Sequence, residues 1–192
     1  MSLIKSISGI RGTIGGKPGE NLSPLDVVRF ASAFGSVILQ EAKSKKVVIG
    51  RDARPSGPWI SDLISHSLRN LGLNVVDLGL STTPTVQMAV VAEEADGGII
   101  ITASHNPVQW NALKLLNSEG EFISAKVGEK VLKLAENEDF EYVDYKKLGS
   151  YVKDDTHLQK HIDAILKIPY VDVEAIRKRN FRIAIDAVNS TG

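Results

Sequence analysis

Ser104 and His105 follow directly on the apolar run Gly97-Gly98-Ile99-Ile100-Ile101, inside the polar stretch Thr102-Ala103-Ser104-His105-Asn106-Pro107. Three consecutive β-branched residues read as a strand buried on both faces, so the serine and the histidine stand at its carboxyl end. Ligands of open α/β sheets bind at such ends. A serine held there on a rigid strand can be aimed at a substrate or can carry a phosphoryl group. Alternatively, Ser104 and Asn106 serve only the loop amides ahead of the Asn-Pro turn. His105 is a poor general base for Ser104, because neighbours on an extended chain point apart, and it reads as a contact to ligand or loop. Gly-x-Ser-x-Gly is absent around Ser104, which argues against a serine hydrolase.

Two cations are candidates to serve an anion beside that serine. Arg11 sits among Gly9, Gly12, Gly15 and Gly16, small residues that let backbone approach an anion, although a solvated arginine in a flexible turn would look the same. The segment is no ATP-binding P-loop: Arg11 occupies the position of the required first glycine and Pro18 replaces Ser/Thr. Lys114 lies between Leu113 and Leu115 in a predicted strand, so its side chain faces away from theirs, toward a ligand or toward solvent. Arg51, Asp52 and Arg54 read as an architectural ion-pair network near the same sheet edge. His157 and His161 are one helical turn apart and could share a metal, but no third ligand has convincing spacing, which favours a solvated helix face. His66 reads as an ordinary helix residue.

The elements that must position these residues alternate. Val47 to Gly50 is a buried-strand pattern, followed by a helix carrying Ile60, Leu63, Ile64, Leu68 and Leu71 and closed by Gly72. Val75 to Leu80 is a second strand, and Thr83-Pro84 supplies an N-cap and first-turn proline for a helix with Val86, Val90 and Val91. Earlier, Ser23-Pro24 starts a helix with Leu25, Val28, Phe34 and Ile38 on its apolar side and Asp26 at capping-box spacing. Asn117-Ser118-Glu119-Gly120 joins two short strands, 112–116 and 121–123, as a hairpin at the sheet edge. Ser124 then caps a helix to about Glu136, with Val127, Val131, Leu132 and Ala135 inward.

The pattern implies a three-layer α/β/α domain with a mixed, mostly parallel sheet, spanning residues 1–145. The acidic run from Glu136 to Asp144 marks its end. Residues 146–192 read as a linker and the truncated start of a second α/β domain, with a helix capped at Asp155-Thr156 and a strand over Phe181–Asp186.

Lysine plus arginine and aspartate plus glutamate are both 23, so no strong field draws the 192-residue chain to nucleic acid or membrane, and a small polar ligand is the default partner. Cysteine is absent, which excludes disulfides, thiolate catalysis and cysteine-based zinc sites. Met1-Ser2-Leu3-Ile4-Lys5 lacks the apolar core of a secretory signal and no window is long enough for a membrane span, so the cytoplasm is the expected compartment. The oligomeric state is not readable.

The stretch from Thr102 to Pro107 resembles the phosphoserine signature of the α-D-phosphohexomutases. Gly9-Ile10-Arg11-Gly12, the run from Gly50 to Gly57, Ser81-Thr82-Thr83-Pro84-Thr85 and Trp110-Asn111-Ala112-Leu113-Lys114 are similar to that family too, in the family's order. The run from Gly79 to Met88 is most similar to phosphoglucosamine mutases, with phosphomannomutase/phosphoglucomutase the close competitor. The resemblance implies an enzyme interconverting hexose 6-phosphate and hexose 1-phosphate through a bisphosphorylated intermediate, with glucosamine phosphate the leading substrate. It makes Ser104 the phosphoserine, Arg11 its neighbouring cation, Lys114 the acid/base, His105 an active-site contact and Asn111 a substrate contact. Ala112 stands where the family has glycine. Magnesium is implied as cofactor. Its Asp-rich loop has no counterpart here, because Asp154-Asp155 and Asp172-Val173-Glu174 supply only two carboxylates each, so the one metal contact on offer is the phosphate of Ser104. Family members are longer and have four domains, so this stretch alone is expected to be inactive; a noncatalytic anion-binding module is the alternative.

Overall fold

Period-two alternation along the central strands sends one set of apolar side chains to each face of a single sheet. The computed structural model describes residues 2–6 and 9–191. Met1 and Gly192, which open and close segments read above, lie outside them. Seven strands lie among the described residues: β1 (Ile4–Ser6), β2 (Gly9–Thr13), β3 (Lys46–Arg51), β4 (Asn74–Leu80), β5 (Gly97–Ile101), β6 (Trp110–Leu116) and β7 (Tyr151–Lys153). Their order across the sheet is β1-β2-β6-β5-β3-β4-β7. β5, β3, β4 and β7 are paired in parallel, while β6 runs antiparallel to both β5 and β2, and β1 antiparallel to β2. Five strands therefore share one direction, and the sheet is mixed but mostly parallel.

Six α-helices lie among the described residues: α1 (Pro24–Leu39), α2 (Gly57–Asn70), α3 (Thr83–Ala92), α4 (Ala125–Asn137), α5 (His157–Leu166) and α6 (Val173–Arg179), the last with no buried residue. Val47, Ile49, Ile99, Ile101 and Leu113 point to one side, where they pack with Phe30, Phe34, Ile60, Ile64, Leu68 and Val131 of α1, α2 and α4. Val48, Val76, Ile100 and Leu116 point to the other and pack on Val86, Ala89 and Val90 of α3. This is the expected α/β/α arrangement. No helix among the described residues is long and apolar enough to cross a membrane.

Local chemistry sets the helix starts. Ser23 and Asp26 form a reciprocal capping box on α1, worth about 1 kcal/mol, and Asp26 also accepts from the Gly19 amide at 2.9 Å. The buried stripe of α1 is Val27, Phe30, Phe34 and Ile38; Leu25 and Val28, expected inward, lie off this stripe, and Leu25 is exposed. α3 is capped by Thr82 rather than Thr83, because Thr82 has extended dihedrals and accepts from the Thr85 amide, leaving Thr83 already helical.

Further expectations differ. The hairpin after β6 shrinks to one bridge, Leu116 to Phe122, because the chain turns into α4 at Ser124 before a return strand can grow. β6 is an interior strand, not an edge one. Phe181–Asp186 forms no strand: no described strand lies beside it, and Phe181, Ile183 and Ile185 stay exposed. Residues 151–153 lie beyond the expected division at residue 145, yet they join the first sheet as β7, held to β4 by ladder bonds and by Tyr151 Oη donating to Asp77 Oδ2 at 2.9 Å.

The segment after β7 is fastened by polar side-chain contacts. His157, 3% exposed, has its Nε2 3.2 Å from Glu93 Oε1 and 3.3 Å from Asp154 Oδ2, and Lys46 Nζ lies 3.1 Å from Glu93 Oε2. His161 Nδ1 meets Thr85 Oγ1 at 2.9 Å. The two histidines thus take separate partners instead of a common metal, and His157 is buried rather than solvated. The Lys46 hydrogen bond, more than any other group, holds the Glu93 carboxyl below its ordinary value of 4.5. A depressed carboxylate stabilises the fold above its unfolded value and loses that contribution as pH falls through the folded one. Glu93→Gln should therefore lower the urea midpoint at pH 7, by about 1 kcal/mol in stability, and the gap to the unsubstituted chain should close as the pH falls below 4.5.

Candidate active site

The insertion of β6 between β2 and β5 builds the site. Its register aligns Arg11 with Ala112 on one side and Lys114 with Ile100 on the other. Arg11, Ala112 and Lys114 consequently face the same side of the sheet, opposite Ile10 and Leu113 in the core. Where β5 ends, Thr102 to Ser104 close over them. The result is a cavity of about 280 Å³ lined by Arg11, Ser104, His105 and Lys114, with Ser6 and Gly9 at its border.

Gly9 is required by that border. Its φ is +134°, and a Cβ there would stand 2.1 Å from the Leu113 carbonyl oxygen. Lys114 Nζ rests 5.8 Å from the centre of the Phe122 ring, close enough for a cation–π contact, and Arg11 Nη1 donates to Asn106 Oδ1 at 3.3 Å. Among the described residues no carboxylate lines the cavity. Two fixed cations without a counter-charge suit a phosphate dianion.

Ser104 is exposed, with φ at +54°, the left-handed region that a serine enters only when its surroundings hold it there. Its amide donates to Thr102 Oγ1 at 3.0 Å, and Thr102 Oγ1 donates to Asp52 Oδ2 at 2.7 Å. Its carbonyl accepts from Arg54 Nη2 at 2.8 Å.

Asn111, expected to touch substrate, is instead fully buried; its amide donates to Ser56 Oγ and accepts from the Ala112 amide, both at 2.8 Å. It fastens the start of β6 to the N-terminus of α2 and does not line the cavity. Of the expected ion-pair network, Asp52 and Arg54 pair at 3.1 Å, but Arg51 donates to the backbone carbonyl of Asp52 and to no carboxylate. The contacts of Arg54 and Thr102 with the Ser104 loop and the Lys114 to Phe122 stacking were not legible as site features. The signal available was topological: β3 and β5 are parallel neighbours, so residues just past their carboxyl ends share one edge.

Among the described residues the cavity lining holds no carboxylate with which to cage magnesium, and Asp52 in the adjoining loop is committed to Arg54 and Thr102. Asp172 is spent capping α6, where it accepts from the Ala175 amide. Glu93, Asp154 and His157 offer ligand atoms within 4.8 Å of one another, but Lys46 and Lys160 already neutralise those carboxylates.

Comparison with known proteins bears on this geometry. Residues 3–142 match the family model for the α/β/α domain I of phosphoglucomutase/phosphomannomutase. The chain belongs to that family. It is similar to a phosphoglucomutase/phosphomannomutase of Thermococcus kodakarensis, 36% identical across 94% of this chain and 40% of the relative. A phosphoglucosamine/phosphogalactosamine mutase of Sulfurisphaera tokodaii is 31% identical over 100% of this chain and 40% of its own length. The crystal structure of a phosphoglucomutase/phosphomannomutase family protein from Burkholderia thailandensis superposes with a TM-score of 0.69 at 26% identity, over 85% of this chain and 36% of that one. The chain thus spans about two fifths of the curated relatives it matches.

As a phosphohexomutase domain I, it keeps its cavity border only if residue 9 lacks a side chain. Gly9→Ala should destabilise the chain by at least about 2 kcal/mol in urea titration, from backbone strain plus the collision with Leu113.

Proposed function

We propose that this chain supplies the phosphoryl relay of a mutase that interconverts hexose 6-phosphate and hexose 1-phosphate, with glucosamine phosphate as the substrate. The observation that carries this reading is the convergence of Arg11 and Lys114 on the cavity of Ser104 with no carboxylate among them. A phosphate ester on Ser104 is stable at rest and transferable once its charge is neutralised. In the forward step the bond from Ser104 Oγ to phosphorus breaks and a sugar hydroxyl takes the phosphoryl group, giving a bisphosphate. The hydroxyl proton ends on the departing Ser104 Oγ, with Lys114 the candidate relay between the two oxygens, and Arg11 offsets the charge on the transferring group. After the intermediate turns round, its other phosphate returns to Ser104 Oγ and the proton is given back. His105 contacts the ligand.

The glucosamine assignment is supported by phosphoglucosamine mutases among the relatives, such as that of Methanococcus maripaludis, 35% identical over 90% of this chain and 36% of its own length. Phosphomannose or phosphoglucose is the competing substrate, supported by the Thermococcus kodakarensis relative. Magnesium would supply charge neutralisation at the phosphoserine. The cavity residues do not form its cage, so its carboxylates belong to the length that the relatives carry beyond this stretch, and no step above is routed through it. The absence of cysteine agrees with work in a reducing cytoplasm.

Joined to that further length, the protein should turn over glucosamine 6-phosphate and show a phosphoryl group on Ser104 by mass spectrometry. Ser104→Ala should lower kcat at least about a thousandfold. Equal activity in the variant would refute the relay. Tight, specific binding of glucosamine phosphate by the present chain alone would favour an anion-binding module instead.

A further inference from the structure

We propose that Arg54, fixed by Asp52, is a positioning residue for Ser104, and that it sets the left-handed turn from which the serine meets the cavity. Its bearing on catalysis rests on the phosphoserine reading above; the conformational part does not.

A serine at φ +54° costs roughly 1 kcal/mol or more relative to ordinary backbone, and its own side chain offers none of the compensation that glycine gives. The compensation comes from a single guanidinium. Arg54 Nη2 donates to the carbonyls of Ser104 at 2.8 Å and Asn106 at 2.7 Å. Its Nη1 donates to those of Pro107 at 2.7 Å and Trp110 at 3.0 Å. Nε is held by Asp52 Oδ2 at 3.1 Å. All five N–H donors of the side chain are used, and the turn from 104 to 110 is wrapped around them.

Asp52 completes the device. It accepts the Arg54 amide on Oδ1 at 3.0 Å and Thr102 Oγ1 on Oδ2, and Thr102 Oγ1 in turn accepts the Ser104 amide. Both the N–H and the C=O of Ser104 therefore lead back to one ion pair. Arg54 is largely buried, its charge is neutralised by Asp52, and it does not line the cavity of Arg11 and Lys114. It acts on a ligand only through the backbone of Ser104. Lysine cannot replace it, because an ammonium has three donors and no planar fork with which to reach four carbonyls.

Two readouts on the 192-residue chain test this. The first is the pair of ¹³Cα and ¹³Cβ shifts of residue 104, which report a left-handed φ. They should carry the left-handed signature in the unsubstituted chain and in Thr102→Ser, and lose it in Arg54→Lys. A folded Arg54→Lys that retains the signature overturns the proposal. Should that variant not fold, Asp52→Asn is the substitute, with the same two outcomes. The second readout is ³¹P titration of the chain carrying phosphoserine at position 104. Its second pKa should lie below the ordinary value of about 6 because of Arg11 and Lys114, and should return toward about 6 in Arg54→Lys. Loss of stability alone would not move the titration of the folded chain. An unmoved titration in Arg54→Lys overturns the link to the cavity. A phosphate that titrates at about 6 in the unsubstituted chain and ignores Arg11→Gln sinks the phosphoserine reading instead, while the carbon shifts still decide the role of Arg54.

Discussion

Ladder hydrogen bonding of β6 between β2 and β5 is the constraint on which the rest depends. An all-parallel sheet would need a crossover of a dozen or more residues to bring another strand beside β5. A reversing strand needs only the loop from 102 to 109, so the end of β5 and the start of β6 stay within one turn of each other. That economy sets Ser104 and Lys114 on neighbouring strands, and the β2 pairing adds Arg11 from a segment almost a hundred residues earlier. Period-two alternation does the remainder: Leu113 and Leu115 enter the core, so Lys114 is turned the other way.

Charge is handled differently in the cavity and behind it. In the loop, Asp52 cancels Arg54, and at the corner below β3 Glu93 and Asp154 cancel Lys46 and Lys160. Those groups are neutralised locally and hold backbone or helices. Arg11 and Lys114 have no such counter-ion in the cavity. Two cations without a local counter-ion therefore meet at this cavity, although the chain as a whole carries a formal charge of zero.

Much of this was readable from residue pattern. Apolar runs at 47–50, 75–80 and 99–101, with capping residues at Ser23 and Ser124, mark strands and helix starts because backbone geometry and burial act over a few residues. The direction of Lys114 followed from its two leucine neighbours alone. The burial of Asn111 was not legible for a reason of the opposite kind: whether an asparagine faces a cleft or Ser56 depends on a helix more than fifty residues away. Arg54 showed only its nearest partner, Asp52; the four carbonyls it gathers belong to a turn whose shape exists only after folding. The segment 181–186 has strand composition, and the missing ingredient is a neighbour, which no property of the segment itself can supply.

That last segment shapes how the polypeptide behaves in the test tube. Phe181, Ile183 and Ile185 alternate with Arg182, Ala184 and Asp186, so one side of an extended ribbon is greasy and its amides are open to pairing. An open alternating ribbon of this kind is a template on which a second strand can pair. The outer strands of the sheet, β1 and β7, are only three residues long and offer far less edge for such pairing.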